Sequence, residues 1–343
     1  MKQDIDSDFD DNINYSYYIN QIPLKYIIII SFILLLYIIS SFVKLKNTKN
    51  NYISNNQKIT TNLSSNENSN MNEMFLDKYE NKVYKKIKKK LESNNCSQMW
   101  DNQKEFLNGV IRKFRPKKIV EIGVAEGGGT CVILNAIYDI EDAHLYSIDL
   151  SDSPDIGKCV RNLFPQLMNK WTLFTGNVAA KYIEQIGKDI DMVFIDSAHY
   201  EPGEILDFLI ILPFLKEGAI AGFHDIANQI TNDENSRNEW APYIIFNLIR
   251  GRPYFPSGNT RLKHNIGIKI LELNQKKYHH DYCRALGGQW QYFPKEKHIE
   301  LFVEHFKKYY DNDCSMIFNE TVEFNRKFVK KNPKNQIYIY NSD

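Results

Sequence analysis

Hydrophobic residues are distributed unevenly along the chain, and the longest apolar run lies near its start. From Tyr26 to Val43 almost every residue is apolar and none is charged. A bilayer core of ~30 Å requires about twenty such residues in a helix. The run therefore predicts a single membrane-spanning helix at residues 24–44. The acidic tail before it, residues 1–23, argues against a cleaved signal peptide.

The segment after the span has a different composition. Residues 45–74 are rich in Asn and Ser and have no hydrophobic periodicity, so they are predicted to be a disordered linker. More Lys residues follow the span than precede it, which favours a cytoplasmic location for the C-terminal part. The bias is small, so the opposite orientation stays open.

Two amphipathic helices are predicted next. Leu76, Val83 and Leu91 recur at helical spacing, and a second apolar stripe runs from Met99 to Phe114. The first helix carries a basic face that is either solvated or in contact with anionic lipid headgroups. This face comprises Lys85, Lys86, Lys88, Lys89 and Lys90.

From Lys118 onwards, short apolar runs alternate with helical segments. This alternation predicts a doubly wound, Rossmann-like α/β domain, which we place at residues 75–274. Residues 275–343 lack the alternation and are expected to form a helical appendage, with an amphipathic helix at 297–310 and an edge strand at 336–340. The predicted strands of the sheet are 118–122, 144–149, 171–175, 191–195, 219–223 and 266–271.

Charge and cysteine content exclude several classes of protein. The formal net charge is +1, so the balance of charges favours neither nucleic acid nor an acidic partner. The five cysteines lie far apart without CxxC spacing, which argues against a zinc site and a dense disulfide framework and fits a reducing compartment. They are Cys96, Cys131, Cys159, Cys283 and Cys314.

Candidate chemistry lies just after the strands, where ligands bind in doubly wound sheets. The first strand leads into EIGVAEGGGT, a turn that is either a cofactor loop or a plain tight turn. It departs from GxGxxG because Ala125 occupies the second glycine position. An acid pair, Glu121 and Glu126, suits a cationic amino acid better than a pyrophosphate. Asp149, at the end of the second strand, is placed to bind ribose hydroxyls, and Asn177 to border an adenine.

The fourth and fifth strands both end in Asp and His. Asp196 and His199 follow the fourth strand, and His224 and Asp225 end the fifth. We expect these strands to be neighbours, so that both polar ends meet in one crevice. Each end taken alone is also compatible with an ordinary polar loop.

These residues carry a resemblance to a known family. The segments IVEIGVAEGGGT, LYSIDL, DMVFIDSAHYEPGEILDFLIILPFLKEGAIAGFHDI and NIGIKIL resemble class I S-adenosylmethionine-dependent methyltransferases. More narrowly they are similar to the small-molecule and sugar O-methyltransferase group, methyltransferase family 24-like, over residues 98–274. The resemblance implies a seven-stranded sheet with an antiparallel last strand at NIGIKIL. It also implies S-adenosylmethionine as the cofactor.

The resemblance further implies roles for individual residues. Glu121, Gly123 and Gly127 would line the methionine moiety. Asp196 and Asp225 would hold a divalent cation such as Mg²⁺, although His224 stands where a third carboxylate would be expected. The candidate cofactor contacts are Glu121, Gly123, Glu126, Gly127, Asp149, Asn177 and Asp196.

The resulting hypothesis is methylation of a hydroxyl on a small molecule, a sugar or a glycan. His199 or His224 would act as general base, with Asp196 and Asp225 orienting it or binding the metal. Two alternatives stay open. One is an NAD-dependent oxidoreductase of the Rossmann type, and the other is a membrane-tethered protein that binds the cofactor without catalysis.

Overall fold

A computed structural model describes residues 76–96, 99–228, 239–258 and 265–331, all within the unit formed by residues 74–343. The predicted tail, membrane span, linker and last edge strand lie outside the described residues. No helix in the described part of the chain is long and apolar enough to cross a membrane.

A seven-stranded sheet forms the centre of the domain, with strand order β3-β2-β1-β4-β5-β7-β6. The strands coincide with the apolar runs of the sequence because both faces of the sheet are covered. Their bounds are β1 (Lys118–Ile122), β2 (His144–Asp149), β3 (Trp171–Thr175), β4 (Ile190–Ile195), β5 (Leu215–His224), β6 (Gly251–Tyr254) and β7 (Ile266–Leu271).

Strand directions confirm the Rossmann-like methyltransferase topology. Strands β1 to β5 are parallel, and β7 is antiparallel to both β5 and β6. The sequence analysis missed β6, a short strand at the sheet edge that contains Pro253. Edge strands tolerate proline, so its presence obscured the strand in the sequence without preventing the strand from forming.

Helices cover both faces of the sheet. The first hydrophobic layer packs α1 to α4 on one face, and the second packs α5 to α10 on the other. Their bounds are α1 (Lys82–Glu92), α2 (Asp101–Phe114), α3 (Gly128–Ala136), α4 (Lys158–Leu163), α5 (Ala179–Ile186), α6 (Gly203–Ile211), α7 (Ala241–Leu248), α8 (His279–Arg284), α9 (Glu296–Tyr309) and α10 (Asn312–Lys331).

The first predicted amphipathic helix is interrupted. Leu76–Lys78 forms a short 3-10 turn, and α1 begins only at Lys82. Between them Glu80 adopts a left-handed conformation with φ of 46°, which breaks the helical path. Its carboxylate accepts a hydrogen bond from Arg112 Nε at 2.7 Å.

Four of the five cysteines are paired, in contrast to what their spacing along the chain indicated. Cys96 pairs with Cys159 and Cys283 pairs with Cys314, across sequence separations of 63 and 31 residues. The fold closes these separations, so linear spacing could not reveal the pairs. Cys131 is unpaired and buried.

Candidate active site

A cavity of about 840 Å³ opens at the carboxyl ends of the parallel strands. The loops after β1, β2, β3 and β4 all contribute to its lining. The chain order of the strands reverses between β1 and β4, and such a switch point leaves a crevice for ligands. The cavity therefore lies where the doubly wound topology predicts a binding site.

The glycine turn brings the ends of β1 and β4 together. Gly123 has φ of 87°, and a Cβ at this position would lie 1.9 Å from the backbone oxygen of Asp196. No side chain fits in that space, so glycine is required here for conformation and for contact. Gly127, with φ of 91°, precedes α3.

Asp149 organises this turn directly. Its carboxylate accepts hydrogen bonds from the backbone N–H groups of Val124 at 2.9 Å, Ala125 at 3.0 Å and Ser151 at 2.9 Å. Asp149 and Asn177 both line the cavity. Their predicted contacts with ribose and adenine stay predictions that this placement favours.

The two glutamates of the turn lie outside the cavity lining. Glu121 is buried, and it accepts hydrogen bonds from Thr130 Oγ1 at 2.9 Å and Ser147 Oγ at 2.6 Å. Burial raises the pKa of Glu121 to about 8, although the two hydroxyls oppose the shift. Glu126 forms an ion pair with Lys158. Of the predicted cofactor contacts, those that line the cavity are Gly123, Asp149, Asn177 and Asp196.

The Asp and His residues after β4 and β5 form one cluster, as expected for neighbouring strands. Ile195 pairs with Phe223, so Asp196 and His224 follow at the same level of the sheet. His199 Nε2 lies 3.5 Å from Asp196 Oδ1 and 3.2 Å from Asp225 Oδ2. His224 Nδ1 lies 3.3 Å from Asp196 Oδ1 and 3.2 Å from Asp225 Oδ2.

Two further carboxylates face His199, and the sequence analysis missed both. Glu239 Oε2 lies 3.4 Å from His199 Nδ1, and Glu204 Oε1 lies 3.8 Å from His199 Nε2. Glu204 is fully buried and accepts a hydrogen bond from the backbone N–H of Ser197. Its position after His199 in HYEPGE was a signal, since the turn before α6 folds back onto the end of β4. Glu239 follows the undescribed residues 229–238 and had no comparable signal.

The carboxylates of the cluster shift the pKa values of its two histidines. Burial alone would lower the pKa of His199, but hydrogen bonds with Asp196 and Glu239 and the charge of Glu204 raise it to about 12. The pKa of His224 is likewise raised to about 10, against its burial, by Asp196 and Asp225. The carboxylates therefore favour the protonated form of both imidazoles.

The cluster also fits a divalent cation. Ligand atoms of Asp196, His199 and Asp225 all lie within 4.8 Å of one another. His224 Nδ1 is buried and forms no hydrogen bond with any described residue, despite its short distances to the two aspartates. The imidazole ligand suits Fe²⁺ or Zn²⁺, whereas the two carboxylates alone suit Mg²⁺ or Mn²⁺, which prefer oxygen.

Fold and site together define the class of protein, a doubly wound α/β domain with a cavity at the carboxyl ends of its parallel strands. Residues 120–226 match the model of a family described as a methyltransferase domain. This match confirms the resemblance to methyltransferases, from which S-adenosylmethionine follows as the expected cofactor. No curated protein matches the chain.

Several solved structures are similar to this chain at low identity. An O-methyltransferase from Bacillus cereus in complex with SAH is 15% identical, with a TM-score of 0.42, over 55% of this chain and 90% of its own. The O-methyltransferase TomG from Streptomyces achromogenes, in complex with SAM, is 12% identical, with a TM-score of 0.42, over 55% of this chain and 89% of its own. The SAH-bound methyltransferase PaMTH1 from Podospora anserina is 14% identical, with a TM-score of 0.40, over 63% of this chain and 97% of its own.

Proposed function

We propose that the protein transfers the methyl group of S-adenosylmethionine to a hydroxyl group of a small-molecule, sugar or glycan acceptor. The observation that carries this proposal is the position of Asp196. Asp196 lines the cofactor cavity, and its carboxylate contacts both His199 and His224. The donor cavity is thus adjacent to a cluster of carboxylates and imidazoles, which is the arrangement that we expect for O-methylation.

The protein must align the acceptor oxygen with the methyl–sulfur bond and remove the hydroxyl proton. His199 is the better base, because its side chain is 21% exposed and that of His224 only 8%. His224 is a positioning residue, since its Nε2 lies 3.2 Å from Gln103 Oε1 behind the cluster. A divalent cation held by Asp196 and Asp225, when bound, supplies positive charge that favours a deprotonated acceptor oxygen and a neutral His199.

The acceptor would approach from the side of α7. The backbone oxygen of His199 accepts a hydrogen bond from the N–H of Ala241 at 2.9 Å, which fixes the start of this helix. Trp240, directly before Ala241, is 41% exposed and follows Glu239, which contacts His199. An exposed aromatic ring at the start of α7 provides an apolar surface for a sugar or an aromatic acceptor.

The test is methyl incorporation from labelled S-adenosylmethionine into a panel of small-molecule, sugar and glycan acceptors, with and without a chelator. We expect His199→Ala to reduce turnover by about 10²–10⁴-fold at saturating cofactor, the range typical of general-base catalysis. His144→Ala, on β2 and hydrogen-bonded to Thr172, serves as the control. Near wild-type turnover of His199→Ala would refute the assignment of the base. A chelator effect would establish the cation.

We further propose that the predicted span at Tyr26–Val43 anchors the enzyme to a membrane. The exposed lysines of α1, which include Lys85, Lys86 and Lys89, support a membrane-facing surface. Fractionation tests the anchor: the full chain should remain with membranes in carbonate, whereas a chain lacking residues 1–44 should be released. Release of the full chain would contradict anchoring.

Two features of the chain favour opposite sides of the membrane for the domain. The lysine bias around the span predicts a cytoplasmic domain, whereas two disulfides are typical of oxidising compartments. Protease protection of sealed vesicles decides between them. Digestion without detergent indicates the cytoplasmic side, and digestion only after detergent indicates the opposite side.

A further inference from the structure

The C-terminal segment, for which the sequence suggested no role, forms one wall of the cofactor cavity. Helix α9 packs against α5 and α6, the helices that follow Asn177 and Ala198. Helix α9 and the loop before it contribute six residues to the cavity lining, namely Tyr292, Pro294, Lys295, Lys297, His298 and Phe302. This wall is therefore supported by the two helices that follow β3 and β4.

His298 is the unusual residue of this wall. It is 2% exposed and lines the cavity, yet neither ring nitrogen has a hydrogen-bond partner among the described residues. Buried polar groups are nearly always hydrogen-bonded, so the ring nitrogens of His298 are available to a polar group that binds in the cavity. Burial and the charges of Lys297 and Lys295 lower the pKa of His298 to about 4. The ring is therefore neutral, with one donor and one acceptor nitrogen.

A second histidine of α9 provides an internal comparison. His305 is 5% exposed, its Nε2 also lacks a partner among the described residues, and burial lowers its pKa to about 4. Its ring, however, lies 4.7 Å from that of Tyr309 and 6.1 Å from that of Phe214, and it does not line the cavity. His305 is thus a packing residue, and burial alone does not distinguish the two histidines.

We propose that His298 is a cofactor-binding residue whose ring nitrogen hydrogen-bonds the purine edge of S-adenosylmethionine. Asn177 lines the same cavity and lies two residues before α5, the helix against which α9 packs, and Phe302 adds an aromatic ring to the wall. An adenine edge presents an amino donor and ring-nitrogen acceptors, which match the neutral imidazole. The C-terminal segment is then part of the cofactor site. The inference rests on methyl transfer as the proposed function.

Calorimetric titration with S-adenosylhomocysteine tests the inference without an acceptor. His298→Leu should bind it about tenfold more weakly than the wild type, the cost of roughly one hydrogen bond. His305→Leu should bind it with unchanged affinity, even where its thermal midpoint falls. His298→Gln, which keeps a donor and an acceptor, should recover part of the affinity and covers the case in which the leucine variant does not fold.

A modified ligand identifies the group that His298 contacts. S-inosylhomocysteine carries a carbonyl oxygen in place of the amino group of adenine. The wild type should discriminate between the two ligands, and His298→Leu should discriminate less. Equal affinity of the wild type and His298→Leu, or equal losses in both histidine variants, would overturn the inference and leave methyl transfer intact. If the wild type binds no S-adenosylhomocysteine, the proposed function itself fails.

Discussion

Glu121 lies behind the glycine turn, with its buried carboxyl group hydrogen-bonded to Thr130 and Ser147. Its pKa is raised from 4.5 to about 8, chiefly by burial. Between these two values the folded protein retains a proton that the unfolded chain has lost. The free energy of unfolding therefore decreases as the pH rises through this window.

We predict that Glu121→Gln removes this dependence. The glutamine oxygen accepts the same two hydrogen bonds, and the side chain does not ionise. Urea unfolding at pH 5 and pH 8 should show that the wild type loses stability, on the order of a few kcal/mol, relative to the variant. Parallel pH profiles for the two proteins would contradict the buried, proton-retaining carboxyl group.

Individual site residues were predictable to different degrees. Asp196, His199, His224 and Asp225 follow strands with clear apolar patterns, so their convergence could be predicted from strand adjacency alone. Residues that reach the site from elsewhere could not be placed in this way. Glu239 follows undescribed residues, and His298 belongs to a helix whose packing against α5 and α6 has no signature in its own sequence. Their distance in sequence from the strand ends hid both.

At the scale of elements, the contact between the ends of β1 and β4 depends on a glycine. Gly123 and Gly218 both have positive φ, 87° and 72°. A Cβ at Gly123 would lie 1.9 Å from Asp196 O, whereas a Cβ at Gly218 would have no atom within 4 Å. The two glycines therefore separate the cost of backbone conformation from the cost of a steric clash.

We predict that Gly218→Ala costs about 1–2 kcal/mol of stability, the penalty for a left-handed residue with a Cβ. Gly123→Ala should cost more and should also weaken S-adenosylhomocysteine binding, because the turn must move away from Asp196. Denaturant unfolding and calorimetry measure the two effects. Equal losses of stability, with unchanged binding in both variants, would show that the close approach is unimportant.

The predicted elements were most accurate where a buried face imposed a pattern. Strands β1 to β5 and strand β7 coincide with the predicted apolar runs. Their parallel or antiparallel directions agree with the predicted topology. Strand β6 is only four residues long and has no apolar pattern, because it is defined only by its pairing with β7 at the sheet edge. The break before α1 was equally hidden, since the apolar spacing continues across Glu80.

At the scale of the whole molecule, two disulfides connect distant parts of the domain. Cys96–Cys159 joins the segment before α2 to α4, and Cys283–Cys314 joins α8 to α10 on either side of α9. Closing loops of this length stabilises a protein by about 2–4 kcal/mol per bond. The second bond also restrains the segment that carries the proposed cofactor wall.

We predict that a reductant lowers the thermal midpoint of the wild-type protein. A variant with all four paired cysteines changed to alanine should start from the lower midpoint and should not respond to the reductant. Cys131→Ala, at the buried unpaired cysteine, should keep the response and serves as the control. A wild-type midpoint that is insensitive to reductant would show that the bonds do not form, and would support the cytoplasmic orientation.

The central claim is that the cavity between the ends of β1 and β4 binds S-adenosylmethionine as part of a methyltransferase. Calorimetric titration of the full chain with S-adenosylhomocysteine and, separately, with NAD tests it most directly, because it needs no knowledge of the acceptor. We predict saturable one-to-one binding of S-adenosylhomocysteine that is weakened in Gly123→Ala, and no binding of NAD. Binding of NAD without binding of S-adenosylhomocysteine would contradict the account and favour an oxidoreductase.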